Sequence, residues 1–140
     1  MIASEIMTTN PECCVPTDSV MTAAQIMKTE DVGPIPIVQD KEDKKLTGIV
    51  TDRDLAIKVV AEARDPKTTP VEDVMSEGLV TCRENDDVRS VLKLMEENQL
   101  RRIPVVDKND RLQGIIAQAD VATRLGNTRT AGEVVQQVSQ

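Results

Sequence analysis

Apolar residues fall at Val20, Ala23, Ala24 and Met27, and again at Val88, Val91, Leu92 and Met95. Spacings of three and four place each set on one face of a helix. Asp18 and Asp86 stand just ahead of the two helices, where a carboxylate oxygen can serve as an N-cap. A short extended piece precedes each helix ("ECCV", "LVTC"). Two β-branched runs follow: "IPIVQ" and "LTGIVT" in the first case, "IPVVD" and "LQGIIA" in the second. These read as strands joined by the polar turns "DKEDKK" and "KNDR". A further helix closes each run ("DRDLAIKVVAEA", "QADVATRL"). The predicted order, strand–helix–strand–strand–helix, therefore occurs twice.

The two runs are copies of one another. Met7 aligns with Met75, Asp18 with Asp86, Val20 with Val88, Met27 with Met95 and Pro36 with Pro104, all at an offset of 68. After a two-residue gap in the turn the offset becomes 66, and Gly48, Ile49 and Asp54 fall on Gly114, Ile115 and Asp120. Self-similarity at one register over this length marks an internal repeat. The expected boundaries are 1–67 and 68–140, with the polar, proline-bearing stretch 64–70 as linker. A unit of about sixty residues is marginal alone. The expected fold is therefore α+β, two βαββα units packed with pseudo-twofold symmetry around one shared core. Met7, Met27, Met75 and Met95 are expected in that core. The tail "TAGEVVQQVSQ" has the pattern of a short amphipathic helix.

Composition narrows the chemistry. The 140 residues include no Phe, Tyr or Trp, so no ring is present on which a base could stack, as single-stranded nucleic acid binding usually requires. The net charge of -7 disfavours long-range attraction to nucleic acid or anionic membrane. No apolar run is long enough to span a bilayer, and "MIASEIMTTN" lacks a signal-peptide pattern. With no histidine, imidazole-based catalysis and His metal sites are excluded, and no nucleophile, base and orienting group appear together. No catalytic or metal-ligating set is assigned. Three cysteines, two of them the adjacent Cys13 and Cys14, make no disulfide framework and suit a reducing cytoplasm.

The heptapeptide "GIVTDRD" (48–54) and its echo "GIIAQAD" (114–120) carry the candidate chemistry. A Thr51-x-x-Asp54 pair after a strand can cap a helix. The same carboxylate has acceptor oxygens suited to a vicinal diol, at a helix start that favours an anion. From the residues alone both roles stand open, and they can coexist.

Taken together, Met followed by Thr or Ser, then D-S-V or D-D-V, then I-P-I-V or I-P-V-V, then G-I-V/I-x-x-x-D, resemble a tandem pair of CBS (cystathionine β-synthase) domains, a Bateman module. The resemblance covers nearly the whole chain. It implies a regulatory module that binds AMP, ADP, ATP or S-adenosylmethionine in clefts between repeats and signals to a partner. No cofactor is required. It implies that Thr51 approaches phosphate or ribose and that Asp54 accepts from the ribose hydroxyls. Arg101 or Arg102, just before "IPVV", is implied as the phosphate clamp. Cys13, Cys14 and Val15, with Thr81 in the second copy, are implied to seat adenine through backbone groups, beside Ile35 and Ile103. Asp120 marks a second site, but Ala117 replaces the hydroxyl and Gly33 and Pro34 replace the arginines, so one tight nucleotide per chain is expected. A homodimer is also expected, through helix faces bearing Val20, Ala24, Val88 and Val91. Any effector would be a separate chain. The other reading is a dimerising adaptor without ligand.

Overall fold

The helical spacing produces α1 (Val20–Glu30) and α3 (Val88–Glu97), and the strand runs produce two antiparallel hairpins in the computed structural model, which describes residues 1–125. The hairpins are β2 (Ile35–Val38) with β3 (Leu46–Val50), and β5 (Arg102–Val106) with β6 (Leu112–Ala117). Their registers break at equivalent places, between Ile37 and Val38 and between Val105 and Val106. The remaining elements are β1 (Thr8–Thr9), β4 (Cys82–Arg83), α2 (Asp52–Leu55), which runs on into a π-helical turn at Ala56–Val60, and α4 (Gln118–Leu125). The α+β class is as expected. The tail assigned to an amphipathic helix lies outside the described residues.

One capping expectation is corrected. Ser19 and Asp87, in extended conformation, are the N-caps; Ser19 Oγ accepts from Thr22 N and Asp87 Oδ1 from Arg89 N. Asp18 and Asp86 lie one residue too early and turn back, accepting from Val15 N (3.0 Å) and Arg83 N (2.8 Å). They close the turn between extended piece and helix, in the same way in both copies.

The chain forms two compact units, and these are not cut at the repeat boundaries 1–67 and 68–140. One unit is Glu12–Leu79, holding β2 and β3. The other joins Met1–Pro11 to the chain from Val80 onward, in a sheet ordered β1-β6-β5-β4. The segment that opens each repeat thus docks on the other repeat. Ala3 N donates to Asp86 O and Val71 N to Asp18 O; Ser4 N donates to Glu84 O and Glu72 N to Pro16 O. Val88 N donates to Met1 O, and Val20 N to Thr69 O. Each of these bonds in the first unit has its image, 68 residues displaced, in the second. Both segments make a 3-10 turn, Ala3–Glu5 and Val71–Asp73.

Each unit holds a hydrophobic cluster of its own. Cys14, Val20, Ala23, Ile35, Ile37, Val50 and Val59 pack with Val71 and Val74 from the docked segment. Cys82, Val88, Val91, Leu92, Met95, Ile103, Val105, Ile116 and Val121 pack with Ala3 and Ile6. The stretch 64–70 is no free linker. Thr69 is buried, its hydroxyl donates to Asp65 O, and the Thr69 and Pro66 carbonyls accept from Val20 and Met21 at the start of α1. The polar sequence misled because its backbone satisfies helix N–H groups that would otherwise be orphaned. Of Val20, Ala24, Val88 and Val91, expected on an open dimer face, the three valines are each about 1% exposed and Ala24 is half-buried. The valines point into these cores, so the argument for a dimer through them does not hold.

Candidate functional site

The motif "GIVTDRD" begins in β3 and ends in α2. Gly48 is needed there because another chain segment lies almost on its Cα. A Cβ would sit 2.6 Å from Met75 Sδ and 2.9 Å from Ser76 O. The second copy repeats this at Gly114, with Thr8 O at 2.6 Å and Met7 Sδ at 2.8 Å. Ser76 and Ile49 exchange backbone hydrogen bonds, and Thr8 pairs with Ile115. Met7 and Met75 are thus half-buried lids over the two motif glycines, at the rim of the cores rather than inside them.

Three residues on, Thr51 caps α2. Its Oγ1 accepts from Asp54 N (3.2 Å), while Asp54 Oδ2 accepts from Thr51 N (2.9 Å) and from the Thr51 hydroxyl (3.1 Å). This is a closed capping box with Asp in the place usually held by Glu or Gln. Asp54 Oδ1 faces Lys58 Nζ at 3.3 Å. The carboxylate side chain keeps 15% of its surface exposed. Proton accounting shows what a ligand would need. A threonine hydroxyl has one O–H. If it turned to a phosphate, Asp54 Oδ2 would be left with one donor and could accept a second from outside.

The same unit holds the other first-repeat residues expected to act with this pair. Ile35 opens β2 opposite Val50, the residue before Thr51. Cys14 bridges to Ile37 in parallel fashion, with Cys14 N donating to Pro36 O and Val38 N to Cys14 O. Cys13 and Cys14 are buried, and Val15 is half-buried with its N–H held by Asp18. Burial disfavours the thiolate form of all three thiols. Burial foremost, then nearby Asp18, pushes Cys14 up to about 11. Burial raises Cys13 against the opposing pull of Lys41 and Lys44. Cys82 is pushed to about 12, again by burial first and Asp86 second.

The second-repeat residues gather in the other unit. Arg102 is the β5 partner of Ala117, and Arg101 O accepts from Gln118 N, so both arginines border the second copy of the motif through their main chain. Their side chains are exposed, and among the described residues neither guanidinium makes a hydrogen bond or ion pair. Ile103 is fully buried, and Thr81 is half-buried beside β4. Asp120 is held far more loosely than Asp54. Among the described residues it accepts only from Ala117 N, at 3.4 Å, because Ala117 has no hydroxyl to complete a box.

The sequence reading missed two participants. Lys58, four residues after Asp54, was legible as a helical i,i+4 partner. Asp52, whose carboxylate lies against Gly33, was not, since the two meet only in the folded unit. No group of three or more acidic or cysteine side chains among the described residues could hold a metal ion.

Comparison with known proteins gives a family match. The CBS domain model matches residues 3–61 and 71–127. The chain is 38% identical over 135 residues to the CBS domain-containing protein YhcV of Bacillus subtilis, covering 96% of this chain and 93% of that one. It is 36% identical over 123 residues to Hypoxic response protein 1 of Mycobacterium tuberculosis, covering 88% and 84%. A crystal structure of Hypoxic Response Protein I with two coordinated zinc ions superposes with a TM-score of 0.80, 35% identity and coverage of 89% and 99%. The CBS domain pair of protein MJ0100, solved with 5′-methylthioadenosine and S-adenosyl-L-methionine, gives 0.77 at 28% identity, covering 90% and 96%.

Proposed function

We infer the function from one premise: this chain belongs to the CBS domain family and carries the domain twice. We propose that it is a non-catalytic regulatory module that takes an adenosine ligand at Thr51 and Asp54 and passes its occupancy to a partner. The observation that carries this is the Thr51–Asp54 pair itself. A threonine hydroxyl and a carboxylate that keeps 15% of its side-chain surface exposed stand together at a helix start, in the unit that also holds Cys13, Cys14, Val15 and Ile35. The two compounds in complex with the MJ0100 domain pair, both adenosine derivatives, support the ligand class. In the family pattern the phosphate clamp is Arg101 or Arg102, and guanidinium groups without a partner among the described residues favour that role. The ligand arrives as AMP, ADP or ATP, or as S-adenosylmethionine, and the Thr51/Asp54 site binds more tightly than the Asp120 site.

A second reading has its own observation. The capping box at Thr51 and Asp54 is complete without any ligand, as in an adaptor that has no ligand and works by dimerising. A homodimer fits either reading, and the exposed Ile57 and Val60 of the π-helical turn are its best apolar candidates. Light scattering on the purified chain measures that state. Titration calorimetry with AMP, ADP, ATP and S-adenosylmethionine separates the two functions. The regulatory reading expects saturable binding that Asp54→Ala weakens at least tenfold, since charge-assisted hydrogen bonds to a ribose are worth about 1.5–3 kcal/mol each. No heat from any of the four would leave the adaptor. Lacking Trp and Tyr, the chain barely absorbs at 280 nm, so a 260 nm peak in a fresh sample would reveal carried nucleotide.

A further inference from the structure

Lys58 touches two things at once. Its Nζ lies 3.3 Å from Asp54 Oδ1 and donates to the Val74 carbonyl at 2.9 Å. Asp54 belongs to the motif. Val74 belongs to the segment that leads out of this unit, immediately before Met75 over Gly48 and Ser76 bonded both ways to Ile49. An ammonium has three donors and no acceptor, so one nitrogen can serve both groups. Because both contacts hang on one flexible stem, fixing the nitrogen at one end fixes it at the other. Lys58 stands on the π-helical turn, a rare distortion that recurs where helices carry function. The arrangement is present once. The counterpart residues in the second repeat are Arg124 and Ile6, and among the described residues no bond joins Arg124 to Asp120 or to the Ile6 carbonyl.

We propose that Lys58 couples the Asp54 carboxylate to the docked segment at residues 71–76, so that a ligand that orders Asp54 also tightens this segment. The ligand half of this coupling rests on Thr51 and Asp54 being the adenosine site; the Lys58 link does not. A coupling of this kind is reciprocal: whatever anchors the segment also raises affinity at Asp54. The segment continues directly into Val80, where the other unit resumes. Occupancy at one motif thereby reaches the chain that joins the two units.

Amide hydrogen exchange on the full chain, followed by NMR, tests both halves. Without ligand, Asp54→Asn and Lys58→Met should each speed exchange at the Ile49 and Ser76 amides about threefold, the scale of a solvent-exposed ion pair. The double variant should be no faster than Lys58→Met alone, and Lys58→Arg should restore most of the protection. Unchanged exchange at Ser76 in Asp54→Asn, or full additivity in the double variant, would overturn the coupling. With AMP or S-adenosylmethionine added, protection at Ser76 should rise in the wild type and not in Lys58→Met. Binding with no change at Ser76 would also overturn it. If neither compound binds, ADP and ATP are added in turn; if none of the four binds, the ligand reading of the site fails, and the ligand-free comparison still decides whether Lys58 links the two groups.

Discussion

Placing one methyl group on each motif glycine tests the crossed docking of the two segments. In Gly114→Ala the new Cβ would stand 2.6 Å from Thr8 O, 2.8 Å from Met7 Sδ and 2.9 Å from Met7 Cγ. Carbon–oxygen contacts settle at about 3.3 Å or more, so the Thr8 carbonyl must retreat by roughly 0.7 Å. Thr8 is half of a two-residue edge strand, and retreat of that size breaks its pairing with Ile115. In Gly48→Ala the nearest atom is the Met75 sulfur at 2.6 Å, which can rotate away, and the backbone obstacle, Ser76 O, is at 2.9 Å. Overpacking costs about 1–3 kcal/mol. Against this, alanine restricts the unfolded chain and returns about 0.4–1 kcal/mol. The net loss is then about 2 kcal/mol at Gly114 and about 1 kcal/mol at Gly48. With roughly 0.3 kcal/mol/K of unfolding entropy for a chain of this length, those losses lower Tm by about 7 °C and about 3 °C. Circular dichroism at 222 nm is the assay, since no aromatic residue reports the melt. A companion Met75→Ala should interact with Gly48→Ala more strongly than Met7→Ala does with Gly114→Ala, where a carbonyl is the main obstacle. A Gly114→Ala protein that melts within a degree of wild type would show that Gly114 does not exist to admit the docked segment, and a larger loss at Gly48 would show that the carbonyl is not the harder obstacle.

Three further outcomes follow from the same geometry. Thr51→Ala removes the hydroxyl of a complete capping box and should cost about 1 kcal/mol in urea denaturation, while Ala117→Thr, which supplies the missing hydroxyl beside Asp120, should gain a few tenths of a kcal/mol or more by the same rule. Both thiols at Cys14 and Cys82 are held neutral in the fold, with folded values of about 11 and about 12 against about 9 unfolded. Above pH 9 the native state therefore binds more protons than the unfolded one, and stability falls as pH rises from 9 towards 12. A Cys14→Ala/Cys82→Ala protein should show a shallower fall than wild type across that window; equal slopes would mean that the thiols do not titrate differently on folding. Thiol labelling at pH 8 should be slow in the native chain and fast in urea, and prompt labelling of the native protein would contradict the burial of all three cysteines.

Local and periodic features were legible in the chain itself. The 3-and-4 spacing of Val20 to Met27 and of Val88 to Met95 specified helices, and the β-branched runs beside Pro36 and Pro104 specified hairpins, because side-chain periodicity is a property of neighbours. The constant offset exposed the repeat and the Thr51/Asp54 motif, together with the defect at Ala117. What the chain could not reveal lies in its choice among equivalent partners. Met7 and Met75 are repeat images, as are Gly48 and Gly114, so either methionine is chemically able to cover either glycine. Only the path of the folded backbone puts Met7 on Gly114 and Met75 on Gly48. The same crossing gave each core two apolar residues from the other repeat, Ala3 and Ile6 or Val71 and Val74, and so covered helix faces that looked unpartnered. It also brought the Val74 carbonyl to Lys58, sixteen residues away. A carbonyl carries no residue-type signal, so its contribution to a site becomes visible only when tertiary structure aims it at a donor.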